Sequence, residues 1–487
     1  MSKNMLNKQD LVVIGGGTSG VMCAVGAIHC GLKVTLISEN DNFFSSSLLT
    51  ETIPSKAFTY CAKIAHSIKK AKLFGLDAQL APTNLSKVNN YVRNIIKELQ
   101  KENDIDTFEK LGGSLLIGNA KFINNQTVLV GNIQVNSKYF VIATGTRTSI
   151  PNIINFNQSD FLTYKQLFHQ KDLPKKTIIL GGRQESLEIA QSLARFGSKV
   201  TVIFSQKNFL PSEDQELIKK LLLILEKEGV NFYYSTKILQ FYWQNERKLL
   251  VCQDGLGDKF AIDGDEIINM QHDQPNIEGL ALADANVQYS SDGILVNRKL
   301  QTTQKNIFAL GSVAKTAFKS VHLMECQTNI ILSNIAFNIP KNINYQLVPR
   351  ILYTYPQLAT IGSCQANKTT NINLQTLKFD FKDIDAAIYQ QQTAGEIKLI
   401  CNGNKLLGAS ILGSIASEII SEYSFAMQVG ADISEIANSI HPYPSLSQIN
   451  KRVANKIFYQ DKPPTTATIA KVMHKFHQIF ARLSFEN

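Results

Sequence analysis

The sequence predicts an α/β protein in which two β-α-β units precede a C-terminal α+β domain. Two glycine-rich turns carry this prediction. One follows the apolar strand 11–14 and the other follows the apolar strand 177–180, and each leads into a small-residue or amphipathic helix and a second strand. From about residue 345 onward strands come first and helices later, which is typical of a separate α+β domain.

Length and composition indicate an ordinary globular chain. It has 487 residues, of which 44% are hydrophobic and 18% charged, which is enough for about three domains. Apolar runs such as Leu221–Leu225 are too short to cross a bilayer, and the apolar stretch near the N-terminus runs into glycines without a cleavage-site pattern. The seven cysteines are scattered without metal-like spacing, so we expect no metal site and a reducing cytoplasm.

The charge distribution argues against nucleic acid as a partner. The formal net charge is +10, but the basic residues form only short pairs such as Lys69-Lys70. Residues 466–485 predict a basic amphipathic helix at the C-terminal end. Packing against the protein itself or against a second copy is the simpler interpretation of that tail, and weak contact with a membrane surface or another protein is the alternative.

The first glycine-rich turn has the GxGxxG pattern of a dinucleotide-binding fold, at Gly15, Gly17 and Gly20. The first glycine makes the turn, the second admits a pyrophosphate, and the third lets the helix pack closely on the strand. The helix N-terminus then offers free N–H groups to the phosphates. Glu39, at the end of the next strand, is the candidate to hold the ribose hydroxyls.

The second turn departs from this pattern. Its three glycine positions read Gly181, Arg183 and Ser186, and Phe204 stands where an acidic residue is expected. We therefore expect NAD(P)H to bind poorly or not at all. The alternative is that the Arg183 guanidinium group itself holds a phosphate.

Five further segments, in the same order along the chain, resemble class I pyridine nucleotide-disulfide oxidoreductases, the family of dihydrolipoamide dehydrogenase, mercuric reductase and glutathione reductase. The resemblance covers about residues 10 to 460. The segments are Ile53–Lys56, Ala143–Gly145, Asn306–Gly311, Thr354–Gly362 and His441–Ser447.

The resemblance implies a homodimer that binds FAD. The implied domains are an FAD domain (1–150 and 285–344), a degenerate NAD(P)-type domain (151–284), a dimerisation domain (345–465) and the tail (466–487). Lys56 and Glu188 match a pair beside the flavin ring, and Ser312 replaces an aspartate that bonds the ribityl chain. The implied FAD-binding residues are Gly15, Gly17, Gly20, Glu39, Lys56, Ala143, Thr144, Gly145, Gly311 and Ser312.

The catalytic positions of that family differ in this sequence. The positions of its redox-active cysteines read Ser47 and Thr52, and a hydroxyl group cannot replace a thiolate. The C-terminal acid–base histidine falls on Tyr443, as in mercuric reductases, and its orienting glutamate on Gln448. Because no cysteine follows Cys401, the C-terminal cysteines of mercuric reductases are missing too. We therefore expect neither disulfide nor mercury reduction.

Two functions remain open at this point. The chain is either a divergent flavoprotein that passes electrons through FAD alone to a small non-disulfide acceptor, or a non-enzymatic pseudoenzyme that uses the dimer scaffold for binding or regulation. Lys56, Glu188 and Tyr443 are the candidate catalytic residues of the first alternative.

Overall fold

The computed structural model describes residues 5–40, 51–100, 105–271, 273–364 and 374–460. The α-helices are α1 (Thr18–His29), α2 (Ile53–Lys70), α3 (Leu85–Gln100), α4 (Ile105–Lys110), α5 (Tyr164–Leu167), α6 (Gln184–Phe196), α7 (Gln215–Lys227), α8 (Val321–Ile335), α9 (Asp385–Tyr389), α10 (Ala416–Val429), α11 (Ile433–Asn438) and α12 (Gln448–Gln460).

The strands up to the middle of the chain are β1 (Met5–Ile14), β2 (Val34–Ser38), β3 (Ser114–Ile117), β4 (Ala120–Asn124), β5 (Thr127–Val130), β6 (Ile133–Ile142), β7 (Thr146–Arg147), β8 (Leu162–Thr163), β9 (Lys176–Leu180), β10 (Lys199–Ile203), β11 (Val230–Tyr233) and β12 (Lys237–Gln244). Those that follow are β13 (Arg247–Gln253), β14 (Lys259–Gly264), β15 (Glu266–Asn269), β16 (Gln274–Pro275), β17 (Tyr289–Ser290), β18 (Gly293–Ile294), β19 (Ile307–Ala309), β20 (Arg350–Leu352), β21 (Gln357–Gly362), β22 (Leu374–Asp380), β23 (Glu396–Asn402) and β24 (Lys405–Gly413).

The chain divides into two compact units. The first contains residues 1–211, 222–348 and 352–354, and the second contains residues 212–221, 349–351 and 355–487. Both glycine-rich turns lie in the first unit.

The first sheet of the first unit has the order β3-β2-β1-β6-β5-β4, with β19 also paired to β6. β1, β2, β3, β6 and β19 run parallel, and β4 and β5 form an antiparallel hairpin against the first half of β6. Leu11, Val12 and Val13 are completely buried because helices or loops cover both faces of a parallel sheet. The strand, helix and strand predicted from residues 11 to 37 are confirmed.

The second sheet of this unit has the order β11-β10-β9-β15-β8, and its paired strands are parallel. Thr177 of β9 pairs with Val200 of β10, as the prediction of a second β-α-β unit requires. α6 begins at Gln184 and ends at Phe196, where Gly197 with φ 115° closes the helix in the left-handed conformation that favours glycine. A three-stranded antiparallel sheet, β12-β13-β14, is inserted before β15.

The second unit is built on the five-stranded sheet β20-β21-β24-β23-β22. β21, β22, β23 and β24 pair in antiparallel fashion, and α10, α11 and α12 bury their apolar side chains on this sheet. Tyr423 of α10 is completely buried in this core. The predicted fold class, two α/β units followed by an α+β domain, is confirmed.

Two sequence predictions concern residues that lie outside the described ranges. These are Ser47 and the basic amphipathic helix at 466–485. Within the ranges described above, no helix is long and apolar enough to cross a membrane.

Candidate functional site

The first glycine-rich turn leaves the N-terminus of α1 open. Gly15 has φ 121°, and a Cβ on it would lie 2.3 Å from the carbonyl oxygen of Ala143. Gly17 is the N-cap of α1, where no side chain caps the helix and no acidic residue stands in the first turn. A Cβ on Gly17 would meet nothing within 4 Å, whereas one on Gly20 would lie 1.9 Å from the Gly15 carbonyl oxygen. The turn therefore combines close packing with open space beside a helix N-terminus that no side chain caps.

Two segments distant in sequence meet this turn at the same edge of the sheet. A Cβ on Gly311 would lie 2.6 Å from Ser19 Oγ, and a Cβ on Gly145 would lie 3.7 Å from Ser312 Oγ. Since β1, β6 and β19 are parallel, the residues after them converge at their carboxyl ends, which is where α/β folds bind ligands.

Thr144 is held in place by a loop after β16. Its Oγ1 donates to the carbonyl oxygen of Asn276 over 2.6 Å, and Asn276 Nδ2 donates to the carbonyl oxygen of Thr144 over 3.0 Å. The backbone N–H of Asn276 also donates to Gly145. Three hydrogen bonds therefore fix the predicted Ala143–Gly145 segment beside the turn.

Glu39 directly follows β2, the neighbour of β1 in the sheet, and it is exposed. The hydroxyl group of Ser38, one residue earlier, donates to the carbonyl oxygen of Asn40 over 2.8 Å. The structure thus brings Glu39 to the same sheet edge as the Gly15–Gly20 turn, with a side chain that reaches solvent.

Lys56 and Glu188 meet, as the resemblance implies. Lys56 Nζ on α2 lies 2.5 Å from Glu188 Oε2 on α6. The other oxygen, Oε1, accepts the backbone N–H of Tyr353 over 2.8 Å, and the Tyr353 ring lies 4.5 Å from Lys56 Nζ. Glu188 is completely buried. Burial raises the pKa of this carboxyl group, Lys56 opposes the rise, and the nearby Glu185 carboxylate supports it.

The second glycine-rich turn is filled by its own charged side chains. Gly181 has φ 118°, and a Cβ on it would lie 2.3 Å from the Met270 carbonyl oxygen, which repeats the geometry of Gly15. Arg183, the N-cap of α6, places Nη1 2.7 Å from Asp273 Oδ2 and Nε 3.3 Å from Glu185 Oε2. Ser186 is completely buried, and its Oγ has no hydrogen-bond partner in the described part of the chain.

Aromatic side chains occupy the end of β10, where an acidic side chain that binds the ribose hydroxyls is expected. Phe204 is 3% exposed, and its ring centroid lies 5.3 Å from that of Phe209 and 4.8 Å from that of Tyr234. A Cβ on Gly182, within the turn, would lie 3.5 Å from Phe204 Cβ and 3.8 Å from the Phe209 ring. The aromatic rings therefore pack directly against the turn.

Tyr443 lies in the second unit, between α11 and α12. Its hydroxyl group donates to Asp385 Oδ2 over 3.0 Å, and the side chain is largely exposed. The hydrogen bond to Asp385 raises the pKa of the Tyr443 phenol. Gln448, the position of the orienting glutamate, begins α12.

Thr52 has no thiol, and the cysteines nearest in sequence to the first turn are Cys23 and Cys30. Thr52 precedes α2 as its N-cap residue. Cys23 and Cys30 are seven residues apart at the two ends of a helical stretch, which separates them by about 10.5 Å along the axis. Disulfides require Cα atoms within about 7 Å. Burial, with a smaller effect of Cys30, raises the pKa of the Cys23 thiol to about 12. No group of three or more metal-ligating side chains occurs among the described residues.

The sequence did not reveal several residues of these two sites. Asn276 and Tyr353 contribute through backbone groups as well as side chains, and Asp273 comes from a loop 90 positions beyond Arg183, so no local pattern marks them. Glu185 could have been recognised, because an acidic residue in the first turn of a helix indicates that the N-terminus is already neutralised.

Together, two Rossmann-like folds with one open turn and a C-terminal α+β unit define a flavoprotein reductase fold. Residues 9–328 match the profile of the pyridine nucleotide-disulphide oxidoreductases, and residues 348–453 match the dimerisation domain of the same family. The chain belongs to this family.

Relatives share the length and fold of the chain at low identity. A mercuric reductase of Lysinibacillus sphaericus is 26% identical over 443 residues, which cover 90% of this chain and 81% of the relative. A dihydrolipoyl dehydrogenase of Bacillus subtilis (strain 168) is 27% identical over 462 residues, covering 91% and 97%. The HOCl-induced flavoprotein disulfide reductase RclA from Escherichia coli has a TM-score of 0.80 at 23% identity, covering 93% and 100%.

These matches bear on two of the sequence predictions. Members of the family are FAD-binding flavoproteins, which confirms FAD as the cofactor at the level of the family, and NAD(P)H use is typical of them. The match to a dimerisation domain supports the predicted homodimer.

Proposed function

We propose that this protein is an FAD-dependent oxidoreductase that binds FAD across the first turn and reduces a small acceptor other than a disulfide. The open N-terminus of α1, with Gly17 exposed to free space and the Gly145 and Gly311 segments converging on it, is the observation that carries this proposal. Free N–H groups at a helix N-terminus bind phosphate well. When bound, FAD supplies two-electron redox chemistry.

The FAD contacts that we propose divide into three groups. Gly15, Gly17 and Gly20 would hold the pyrophosphate, and Glu39 the adenosine ribose. Ala143, Thr144, Gly145, Gly311 and Ser312 would line the ribityl chain. Ser312 offers one hydrogen bond without a negative charge, so the charge-assisted bond of an aspartate, worth about 1.5–3 kcal/mol, is replaced by a weaker neutral one. Lys56, paired with Glu188, would border the flavin ring.

We further propose that the protein has no dithiol–disulfide chemistry. Thiolate attack and exchange need a reactive cysteine pair, and the relevant positions hold Ser47 and Thr52. Cys23 and Cys30 are too far apart to form a disulfide, and burial holds the Cys23 thiol in its protonated form. The reductases named above are similar in fold and sequence, but we expect neither their disulfide chemistry nor their mercury chemistry in the present chain.

We also propose that the second turn does not serve NAD(P)H. Arg183, paired with two carboxylates, lies where a dinucleotide would need to approach the turn, and Phe204 places an aromatic ring where the ribose-binding carboxylate is expected. The reductant would then be a donor that reaches the flavin directly.

Several sequence predictions stay predictions: the domain boundaries, the cytoplasmic location, the absence of nucleic acid as a partner and the role of the C-terminal tail. In the dimer, Tyr443 would approach the flavin of the second copy.

The visible spectrum of the purified protein tests this proposal. We expect a yellow protein, or one that becomes yellow with excess FAD, that dithionite bleaches and that oxygen or a quinone then reoxidises. NADH and NADPH should leave the colour unchanged. A protein that takes up no flavin would instead support the second candidate function, a pseudoenzyme. The specific observation that favours this second function is the ion-paired, aromatic-filled second turn.

A further inference from the structure

The N-terminus of α6 carries an acidic side chain that α1 lacks. Glu185 is the second residue of α6, and its side chain is 22% exposed. Its carboxylate lies 3.3 Å from Arg183 Nε and 3.4 Å from Gln184 Nε2. Burial by itself would raise the pKa of Glu185, but Arg183, Lys56 and the residue's own backbone N–H lower the pKa below its ordinary value. Glu185 is therefore an ionised carboxylate held at the positive end of a helix.

A second carboxylate holds Arg183 from the other side of the turn. Asp273, 20% exposed, lies 2.7 Å from Arg183 Nη1, and Arg183 itself is 24% exposed. One guanidinium group thus joins the first turn of α6 to the loop that follows β15. Arg183, Glu185 and Asp273 together have a formal charge of −1, since one cation faces two anions.

We propose that Glu185 is an internal anion that takes the place of a phosphate at the N-terminus of α6, and that the Arg183–Asp273 ion pair holds this arrangement closed against dinucleotides. This inference deepens the proposed function, because it explains how the second fold excludes NAD(P)H. A phosphate entering the turn would meet the Glu185 and Asp273 carboxylates, and the guanidinium group that could bind it is already shared between them.

Glu185, rather than the bulk of Arg183, is then the decisive obstacle for a small anion. Arg183 should become a phosphate ligand once its carboxylate partner is neutralised, because the guanidinium fork suits phosphate oxygens. A dinucleotide should still be excluded, because Ser186 and Phe204 remain in the second fold. Inorganic pyrophosphate is therefore the informative probe.

Titration calorimetry with pyrophosphate on FAD-saturated protein tests the inference, since FAD occupies the first turn. Glu185→Gln keeps the side-chain shape and removes the charge. We expect it to bind pyrophosphate at least about tenfold more tightly than the unchanged chain, which corresponds to the gain of one charge-assisted contact between Arg183 and the probe. Arg183→Gln/Glu185→Gln should lose this gain. Asp273→Asn, which frees Arg183 but keeps Glu185, should gain less than Glu185→Gln.

Glu226→Gln is the matched control, because it removes one exposed carboxylate from α7 and should leave binding unchanged. Two results would overturn the inference: equal binding of pyrophosphate to Glu185→Gln and to the unchanged chain, or a gain that persists in the double variant. If the protein takes up no FAD, the proposed function fails separately. The comparison of variants then still decides the present inference, because all of them share the same first turn.

Discussion

The two glycine-rich turns of the first unit have the same strand geometry and different contents. Gly15 and Gly181 have φ values of 121° and 118°, and a Cβ on either would lie 2.3 Å from a backbone carbonyl oxygen of the neighbouring strand end. The next positions differ: open space beside Gly17, and two ion pairs around Arg183. The first glycine is therefore required by the fold itself, whereas the second is required only by a ligand. A fold can lose its ligand without losing its first glycine.

Placing an arginine in the open turn should have the largest effect on this contrast. Gly17→Arg introduces a long side chain into the open space that the FAD pyrophosphate would occupy. We therefore expect FAD binding to weaken by more than about a hundredfold while α1 stays folded. Gly17→Ala adds only a Cβ, which meets no protein atom within 4 Å, so the fold should be unchanged while FAD affinity falls by less than in Gly17→Arg. Flavin fluorescence titration measures both. A yellow Gly17→Arg protein would contradict the assignment of this turn to FAD.

The reverse exchange should open the second turn. In the triple variant Arg183→Gly, Ser186→Gly, Phe204→Glu, the glycines restore the approach to pyrophosphate and the glutamate restores the ribose contact. The glutamate alone should strengthen NADH binding by roughly tenfold to a hundredfold, which corresponds to a charged hydrogen bond of about 1.5–3 kcal/mol. Calorimetry with NADH and NADPH measures the gain. Micromolar binding of NADH to the unchanged chain would show instead that Arg183 is a phosphate ligand.

The difference between the turns also shows which features of the structure could be predicted from the sequence. The β-α-β units were predictable because short apolar strands and glycines at fixed spacing are local patterns. The Lys56–Glu188 contact, 132 positions apart, was predictable only through the resemblance. Asp273 was not, because its partner is decided by how the loop after β15 folds over the turn. The aromatic contacts of Phe204 with Phe209 and Tyr234 likewise depend on tertiary packing.

Neutralising Glu188 should affect the flavin more than the fold. Glu188→Gln leaves Lys56 without its anion, but Lys56 is 28% exposed and can be hydrated, so we expect a loss of stability of at most about 2 kcal/mol. The absorption spectrum or redox potential of bound flavin should shift, because a charge pair beside the ring changes. Glu278→Gln, which breaks an exposed pair with Arg147, is the control. An unchanged spectrum with a lower melting temperature would indicate a purely structural salt bridge.

The smallest expected effect is a pH dependence of the free energy of unfolding, and it comes from a residue outside both glycine-rich turns. It arises at His66 on α2, the helix that packs against α6 through rings such as Phe58 and Phe196, whose centroids lie 5.2 Å apart. Burial and then Arg195 lower the pKa of His66 from 6.5 to about 4, while Glu228 opposes the shift. The folded state therefore disfavours the protonated imidazole, and protons bind preferentially to the unfolded chain.

The sign of the effect follows from that depressed pKa. The contribution of His66 to stability is complete above pH 6.5, the unfolded value, and is lost as the pH falls towards the folded value of about 4. Because the ring is only half-buried, the slope should stay below about 1.4 kcal/mol per pH unit. His66→Gln should flatten the loss of unfolding free energy between pH 6.5 and 4, measured by urea denaturation, whereas the exposed neighbour Ser67→Ala should not. If the unfolding free energy of His66→Gln has the same slope against pH as that of the unchanged chain, the acid sensitivity comes from other groups. A changed FAD affinity in this variant would show that the α2–α6 contact and the first turn are coupled.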